Sequence, residues 1–379
     1  MRIVIPRETE SNETRVAATP DSVAKLVKMG AAVSVERGLG LAAGLPDTAY
    51  ADSGATVVEE RRELLQEADL VLRVRKPPAE EIDWLGSGTI HVSFLDPFRE
   101  SELLNRLAER GVSSISMEMI PRTTRAQKMD ALTSQANLAG YVAVLRGAAQ
   151  LPKILPMMST AAGTILPSRV FVIGAGVAGL QAIATARRMG AKVEAFDTRP
   201  VVAEQVESLG ARFVKIDLGG ESGQTEQGYA KELTPEQIER QRQGMKKCCA
   251  DADLVITTAQ VFGRKAPVIV TSDMVAGMKP GSVIVDMAVD SGGNVEGSVS
   301  GEVVSIEGVS IIGDPNLSGR VPQNASQVYG ANLVGLIEDF WDKDSASMSI
   351  SPEDELLREC LITHAGEICH PRFKQQTQS

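Results

Sequence analysis

Short apolar, β-branched runs alternate with stretches of helical period along most of this chain, and that alternation predicts strands and helices in turn. Residues 2–5, 32–35, 70–74, 90–95 and 113–117 read as strands, and 20–29 and 100–110 as helices between them. Thr19 is placed to cap the first helix, with Pro20 at its first position and Gly30 as its stop. This rhythm predicts one open α/β domain with a mostly parallel sheet. Gly38, Gly40 and Gly44 lie in it, but no G-x-G-x-x-G stands between a strand and a helix. No dinucleotide site is expected in that domain.

The Ala/Leu-rich stretch 130–147 lacks proline and reads as a helix leaving the first domain. After a proline-marked connection at 151–156, a second series follows: strands at 169–173, 192–196, 212–216, 254–258, 282–286 and 310–312, with helices at 177–189 and 201–209. That is a second doubly wound domain. An apolar helical pattern at 326–340 is expected to return to the first domain and make it discontinuous. Residues 217–233, polar and rich in glycine, are too long for an ordinary connection and predict a functional or disordered loop. Thr234 and Gln237 can close its far end as a capping box. Residues 375–379 are expected to be disordered.

Composition narrows the function. The 379 residues carry 39 Lys+Arg against 49 Asp+Glu, a net charge of −10, which argues against nucleic-acid binding. No apolar run reaches the ~20 residues that span a bilayer, and the N-terminus does not read as a signal peptide. The four cysteines, two adjacent at 248 and 249, suit reduced thiols better than a disulfide framework. Cys360, His364, Cys369 and His370 fit no standard zinc spacing, and no metal site is expected. A cytosolic, enzyme-like protein fits these features.

Gly174-Ala175-Gly176-Val177-Ala178-Gly179 follows a buried strand and opens a helix. In that context the first glycine permits a tight turn, the second lets backbone approach a pyrophosphate, and the third allows close helix packing. The helix-start N–H groups and dipole would receive the anion. Asp197 ends the next strand, where a carboxylate accepts hydrogen bonds from ribose hydroxyls and repels a 2′-phosphate, favouring NAD over NADP. Arg199, two residues on, is the group that can bind such a phosphate. The expected fold is therefore α/β, with two Rossmann-like doubly wound parallel-sheet domains. The first comprises 1–134 plus 326–360, the dinucleotide-binding one 135–325, and a tail follows at 361–379.

Gln127, Asp130, Thr133 or Ser134, and Asn137 fall at helical spacing and would share a polar face near a helix start. Such a face can hydrogen-bond a nicotinamide, but on spacing alone a solvated helix face is the more economical reading. His91, in an apolar strand, is expected as a hydrogen-bonded core side chain. Asp286 and Asp290, near Gly292-Gly293, read as turn formers rather than a carboxylate pair. Asp314-Pro315-Asn316 reads as a turn at a strand end, where open α/β sheets place ligands.

With these motifs in hand, the chain resembles the NAD(H)-binding component of proton-translocating NAD(P) transhydrogenase. The resemblance covers nearly the whole chain and is carried by residues 15–20 (RVAATP), 125–130 (RAQKMD), 134–141 (SQANLAGY), the Gly174 fingerprint and Gly228-Tyr229-Ala230. It implies that Arg122, Gln127 and Asp130 contact NAD(H) or orient two nicotinamides, with Gln127 at the hydride-transfer junction. Thr133 stands where family members commonly carry serine. Tyr229 would lie on a mobile loop closing over the nucleotide. With the fingerprint residues 174–179, Asp197, Thr198, Arg199 and Ala259 complete the expected cofactor-binding set.

The resemblance further implies a transhydrogenase of the Si-specific/Re-specific type. NAD(H) would sit on this chain and NADP(H) on a docked partner domain, beside a membrane proton-channel subunit, with this component a homodimer. Its place would be cytoplasmic and peripheral on the inner face of the membrane, through those partners. Alanine dehydrogenase is a relative with a similar N-terminus, in which a lysine and a histidine handle the keto acid. At the aligned positions this chain has Arg75, beside Lys76, and Asp96. A non-catalytic NAD-sensing module is a third reading.

Overall fold

The apolar runs of the N-terminal region fold as the strands their pattern predicts. In the computed structural model, which describes residues 1–219 and 233–374, they are β1 (Arg2–Ile5), β2 (Ala32–Glu36), β3 (Thr56–Val58), β4 (Leu70–Leu72), β5 (Ile90–Ser93) and β6 (Ser113–Ser116). They pair in parallel in the order β6-β5-β4-β1-β2-β3. β1, β4, β5 and β6 are almost wholly buried, as expected of strands covered on both faces. The helix Pro20–Lys28 starts at Thr19, whose hydroxyl accepts from the Ser22 N–H.

A second sheet is built from residues further along. An exposed hairpin, β7 (Met158–Thr160) and β8 (Gly163–Ile165), precedes β9 (Arg169–Ile173), β10 (Lys192–Phe196), β11 (Arg212–Phe213), β12 (Leu254–Thr257), β13 (Val283–Asp286), β14 (Val303–Ile306) and β15 (Val309–Ile312). Their order is β11-β10-β9-β12-β13-β15-β14, parallel except for β14. Both sheets thus wind outward in two directions, from β1 and from β9, and the order reverses between β1 and β4 and between β9 and β12. Ligands of open α/β sheets bind at such reversals, beyond the C-terminal strand ends.

The chain divides into two compact units, Met1–Gln135 with the residues from Ser318 onward, and Ala136–Leu317. The helix Ala131–Gln150 runs from one into the other. In the second unit, a Cβ at Gly140 of this helix would lie 2.2 Å from the Ala178 carbonyl oxygen, and one at Gly147 2.5 Å from Leu254 Cδ1. Its small residues are what permit that packing. The helix Pro322–Asp339, in the first unit, begins a turn earlier than its apolar pattern indicates, at a proline suited to a first turn.

One boundary is corrected. Residues from 361, expected as a tail, enter the first sheet after the short pair β16 (Trp341–Asp342) and β17 (Ser347–Met348). β18 (Leu361–His364) pairs antiparallel with β6, and β19 (Glu367–Ile368) pairs with β18. Thr363 secures this edge, donating to the Val112 carbonyl at 2.7 Å and sharing a hydrogen bond with Ser114 Oγ at 2.7 Å. The loop around Tyr229 and the last five residues of the chain lie outside the described residues.

His91 departs from expectation. It is fully buried on β5, yet neither ring nitrogen has a hydrogen-bond partner among the described residues. Burial, reinforced by the nearby Arg73 guanidinium, lowers its pKa from 6.5 to about 3. The unfolded chain therefore binds a proton that the folded one refuses between those values, and this group's effect on stability worsens as pH falls below 6.5. We expect His91→Leu to flatten the acid limb. Relative to wild type, the variant should gain about 1.4 kcal/mol per pH unit below 6.5 in urea unfolding at pH 7 and pH 5. A difference independent of pH would contradict the assignment.

Candidate functional site

The fingerprint glycines of the second unit do different work. Gly174 has φ +98, a left-handed conformation that turns the chain off β9. A Cβ there would meet Thr258 Oγ1 at 2.4 Å, and one at Gly179 would lie 1.9 Å from the Gly174 carbonyl oxygen. These two positions exclude a side chain because the protein itself fills the space. Gly176 is the opposite case: its φ is −78 and a Cβ would meet nothing within 4 Å. It is the N-cap of Val177–Arg188 and no side chain caps that helix. First-turn N–H groups beside an open glycine form a cradle for an anion such as a pyrophosphate.

Asp197, at the end of β10, is buried beside this turn. Its Oδ2 accepts from the Ala175 N–H at 2.7 Å and from Arg199 Nη2 at 2.8 Å, while Oδ1 accepts from the Arg199 N–H and Nε at 2.8 and 2.9 Å. The carboxylate raises the Arg199 pKa. Asp197 therefore fixes the fingerprint turn and holds Arg199, and a ribose hydroxyl would reach it by exchanging with the guanidinium. Thr198 is half-buried between them.

Across the reversal from β9, the segment after β12 carries Thr258 and Ala259. Thr258 Oγ1 lies 3.1 Å from the Gly174 carbonyl. Ala259 is gripped by the buried Asn294, whose Oδ1 accepts the Ala259 N–H at 3.0 Å and whose Nδ2 donates to the Ala259 carbonyl at 2.8 Å and to that of Pro267 at 2.9 Å. Asp286 in turn accepts from the N–H groups of Ala288, Asn294 and Val295 and from Thr257 Oγ1. Asp286 is thus more than the turn former expected. It organises the loop that presents Asn294, a residue no sequence motif points to. The preceding Gly292 and Gly293, with φ +110 and +79, mark the forced turn that brings Asn294 inward.

In the first unit, Gln127, Asp130 and Thr133 do not share one helix face. Residues Gln127–Met129 form a separate 3-10 turn, and the long helix starts at Ala131. Asp130 sits at the helix start: Oδ1 accepts the Thr133 N–H at 2.9 Å and Oδ2 the Thr133 hydroxyl at 2.6 Å. Local capping by Asp130 wins over a continuous helix. The turn is held by Ala126 and Met129, both fully buried, while Gln127 stands exposed, and Arg122 is exposed in the approach to it. Asn332, likewise outside any sequence motif, donates to the Lys128 carbonyl at 2.8 Å.

The reversal between β1 and β4 carries charge instead of glycine. Arg15 donates to Glu13 through Nε at 2.7 Å and Nη2 at 2.6 Å, and Arg75 Nε reaches the same carboxylate at 2.7 Å. Burial alone would raise the Glu13 pKa, but Arg15 and Arg75 outweigh it and hold the carboxyl at about 2. Glu8 accepts the backbone N–H groups of Val74 and Arg75, and burial, opposed by Arg73, raises its pKa. Asp96 has φ +52, with its N–H on Glu118 at 2.6 Å and its carboxylate 3.8 Å from Arg99. The Glu13 charge is thus met by Arg15 and Arg75 within the unit.

Two family models match the chain: alanine dehydrogenase/PNT, N-terminal domain, over residues 4–139, and alanine dehydrogenase/PNT, C-terminal domain, over residues 143–371. The chain is 41% identical over 382 aligned residues to an NAD(P) transhydrogenase alpha-subunit chain of Rhodospirillum rubrum, covering 99% of this chain and 100% of that one. A crystal structure of transhydrogenase from Sinorhizobium meliloti matches with a TM-score of 0.88 and 43% identity, over 97% of this chain and 100% of the other. An L-alanine dehydrogenase structure matches with a TM-score of 0.83 and 26% identity, over 100% and 99%. The chain belongs to the alanine dehydrogenase/PNT family, and within it is more similar to these transhydrogenase chains than to that L-alanine dehydrogenase.

Proposed function

We propose that this chain is the NAD(H)-binding component of a proton-translocating transhydrogenase, passing hydride directly between NAD(H) on this chain and NADP(H) on a partner domain. The observation that carries nucleotide binding is the Gly176 cradle, open where Gly174 and Gly179 are closed by the protein itself. The transhydrogenase assignment is supported by the similarity along the whole chain to the Rhodospirillum relative. NAD(H), when bound, supplies or accepts the hydride. The chain's own residues position it. The helix-start N–H groups hold the pyrophosphate, and Asp197 takes the adenosine ribose. Gln127, an amide able to donate and accept, orients the nicotinamide with Arg122, Asp130 and Thr133. No acid or base is required of this chain, so geometry is the catalytic device.

Coupling to proton movement then belongs to a membrane proton-channel subunit. Among the described residues no helix is long and apolar enough to cross a membrane, and we propose peripheral attachment on the cytoplasmic face through the partner subunits. A homodimer of this component completes the proposal. Asp96 weighs against the alanine dehydrogenase alternative, since a carboxylate paired with Arg99 is a poor stand-in for a proton-donating imidazole.

Calorimetric titration tests the nucleotide site. NADH should bind and NADPH bind much more weakly, because a ribose hydroxyl can donate to the Asp197 carboxylate and a 2′-phosphate cannot. Gly176→Ala should lower NADH affinity at least ~10-fold with an unchanged Tm, because its methyl fills space the nucleotide needs and no space the fold needs. Equal affinity for the two nucleotides would contradict the role of Asp197.

Mixing the protein with the NADP(H)-binding domain of a transhydrogenase tests the reaction. NADH should reduce NADP+ in the mixture, and Gln127→Asn, one methylene shorter, should slow transfer by about 100-fold while leaving NADH affinity near normal. Loss of NADH binding in proportion to rate would make Gln127 an ordinary ligand. NADH oxidation that depends on pyruvate and ammonia would favour the alanine dehydrogenase reading, and binding without transfer the sensing module.

A further inference from the structure

The Gln127–Met129 turn is short and its working residue faces solvent, so something outside the turn must fix where Gln127 stands. A 3-10 turn has poorer hydrogen-bond geometry than an α-helix and holds its position weakly by itself. Ala126 and Met129 bury their side chains on either side of Gln127 and Lys128. Those apolar contacts fix depth but are tolerant of sliding, whereas a hydrogen bond to backbone fixes direction. Hydrogen-bonded ties run from this region to the C-terminal part of the first unit through Arg125 and through Asn332, beside exposed ion pairs of Lys128 Nζ with Glu338 and Asp339 at 3.9 Å. In the first, Arg125 donates to Asp339 at 2.8 Å and to Asp354 at 2.9 Å, but its side chain is 45% exposed, and ion pairs in such settings contribute little.

The second tie is Asn332, buried on the helix Pro322–Asp339. Its Nδ2 donates to the Lys128 carbonyl at 2.8 Å, and its Oδ1 accepts from Ser134 Oγ at 2.7 Å. One amide therefore spans from the turn to the first turn of the long helix, across the Asp130 cap that joins them. Gly335, one turn further along, makes the approach possible: a Cβ there would lie 3.2 Å from Lys128 Cγ and 3.3 Å from the Lys128 carbonyl oxygen. The residue next to Gln127 is thus clamped at its carbonyl and at its side-chain stem by one face of one helix.

We propose that Asn332 is a positioning residue for hydride transfer, setting the place of Gln127 by holding the Lys128 carbonyl. This rests on the reading of Gln127 given above. Without the Asn332 amide the Lys128 carbonyl loses its side-chain donor, and the turn keeps only apolar contacts and exposed ion pairs, which fix its place less sharply. A displacement of ~1 Å at a hydride-transfer junction costs on the order of 100-fold in rate.

The test is single-turnover hydride transfer in the mixture of the full chain with a transhydrogenase NADP(H) domain, combined with NADH titration and a double-mutant cycle. Asn332→Ala should slow transfer by about 10- to 100-fold with NADH affinity within about twofold of wild type. In a Gln127→Asn background the same change should cost less than about threefold, because the two substitutions spoil one alignment. Asn332→Asp keeps volume and the Ser134 bond but loses the donor to Lys128. It should reproduce the loss, and it carries the test if Asn332→Ala does not fold. Wild-type transfer by Asn332→Ala or Asn332→Asp overturns the proposal, as does a parallel loss of NADH affinity, or an equal cost with and without Gln127. If Gln127→Asn itself transfers at the wild-type rate, the reading of Gln127 falls and this proposal with it.

Discussion

The approach of the Val177–Arg188 helix to the turn after β9 is the constraint on which the second unit depends. A Cβ at Gly179 would fall 1.9 Å from the Gly174 carbonyl oxygen, so the helix comes this close to the turn because Gly179 carries no side chain. That approach places the helix-start N–H groups over the end of β9 and leaves Gly176 open beside them. Asp197 then locks the turn through the Ala175 N–H, and Asn294 and Asp286 fix the facing segment at Ala259. Packing thus comes first, and the anion cradle is what remains exposed once packing is satisfied.

The two units share the order of their five central parallel strands but line the reversal point differently. After β9 the crevice is lined by glycine and backbone donors, which suits an incoming anion. After β1 and β4 it carries Glu13, whose carboxylate meets Arg15 and Arg75, and Glu8, which accepts the backbone N–H groups of Val74 and Arg75. Such buried pairs stabilise little in net terms, because desolvation offsets much of the attraction, but removing one partner leaves a costly orphan charge. On the proposed function the first unit works away from that crevice, at the turn that carries Gln127. A short exposed turn takes its place from what it is tied to, here the buried Ala126 and Met129 and the Asn332 bond to the Lys128 carbonyl, and a positioning role requires such support.

Local signals are the legible ones. Thr19 and Thr234 cap their helices as their sequences indicate, and β9 with its glycines stands where its apolar run ends. Signals that depend on distant partners are not legible. The spacing of Gln127, Asp130 and Thr133 is compatible with one helix face, yet Asp130 caps the helix and leaves Gln127 on a separate turn. Residues 361–364 carry too short an apolar run to announce a strand, and they become one by pairing with β6, more than two hundred residues earlier in the chain. Asn294 and Asn332 are ordinary asparagines in sequence, and only the carbonyls they meet give them a role. His91 is legible as core but not as a core group without partners, because no local pattern reports an unmet nitrogen.

On the proposed function, hydride moves directly from one nicotinamide to the other while this chain only positions its own. The measurement closest to it follows isotope rather than rate. The protein and a transhydrogenase NADP(H) domain are given NADP+ and NADH deuterated at the transferring nicotinamide carbon, and the product NADPH is analysed by mass spectrometry. Direct transfer predicts that the deuterium is recovered in NADPH. Unlabelled NADPH, with deuterium lost to water, would contradict it.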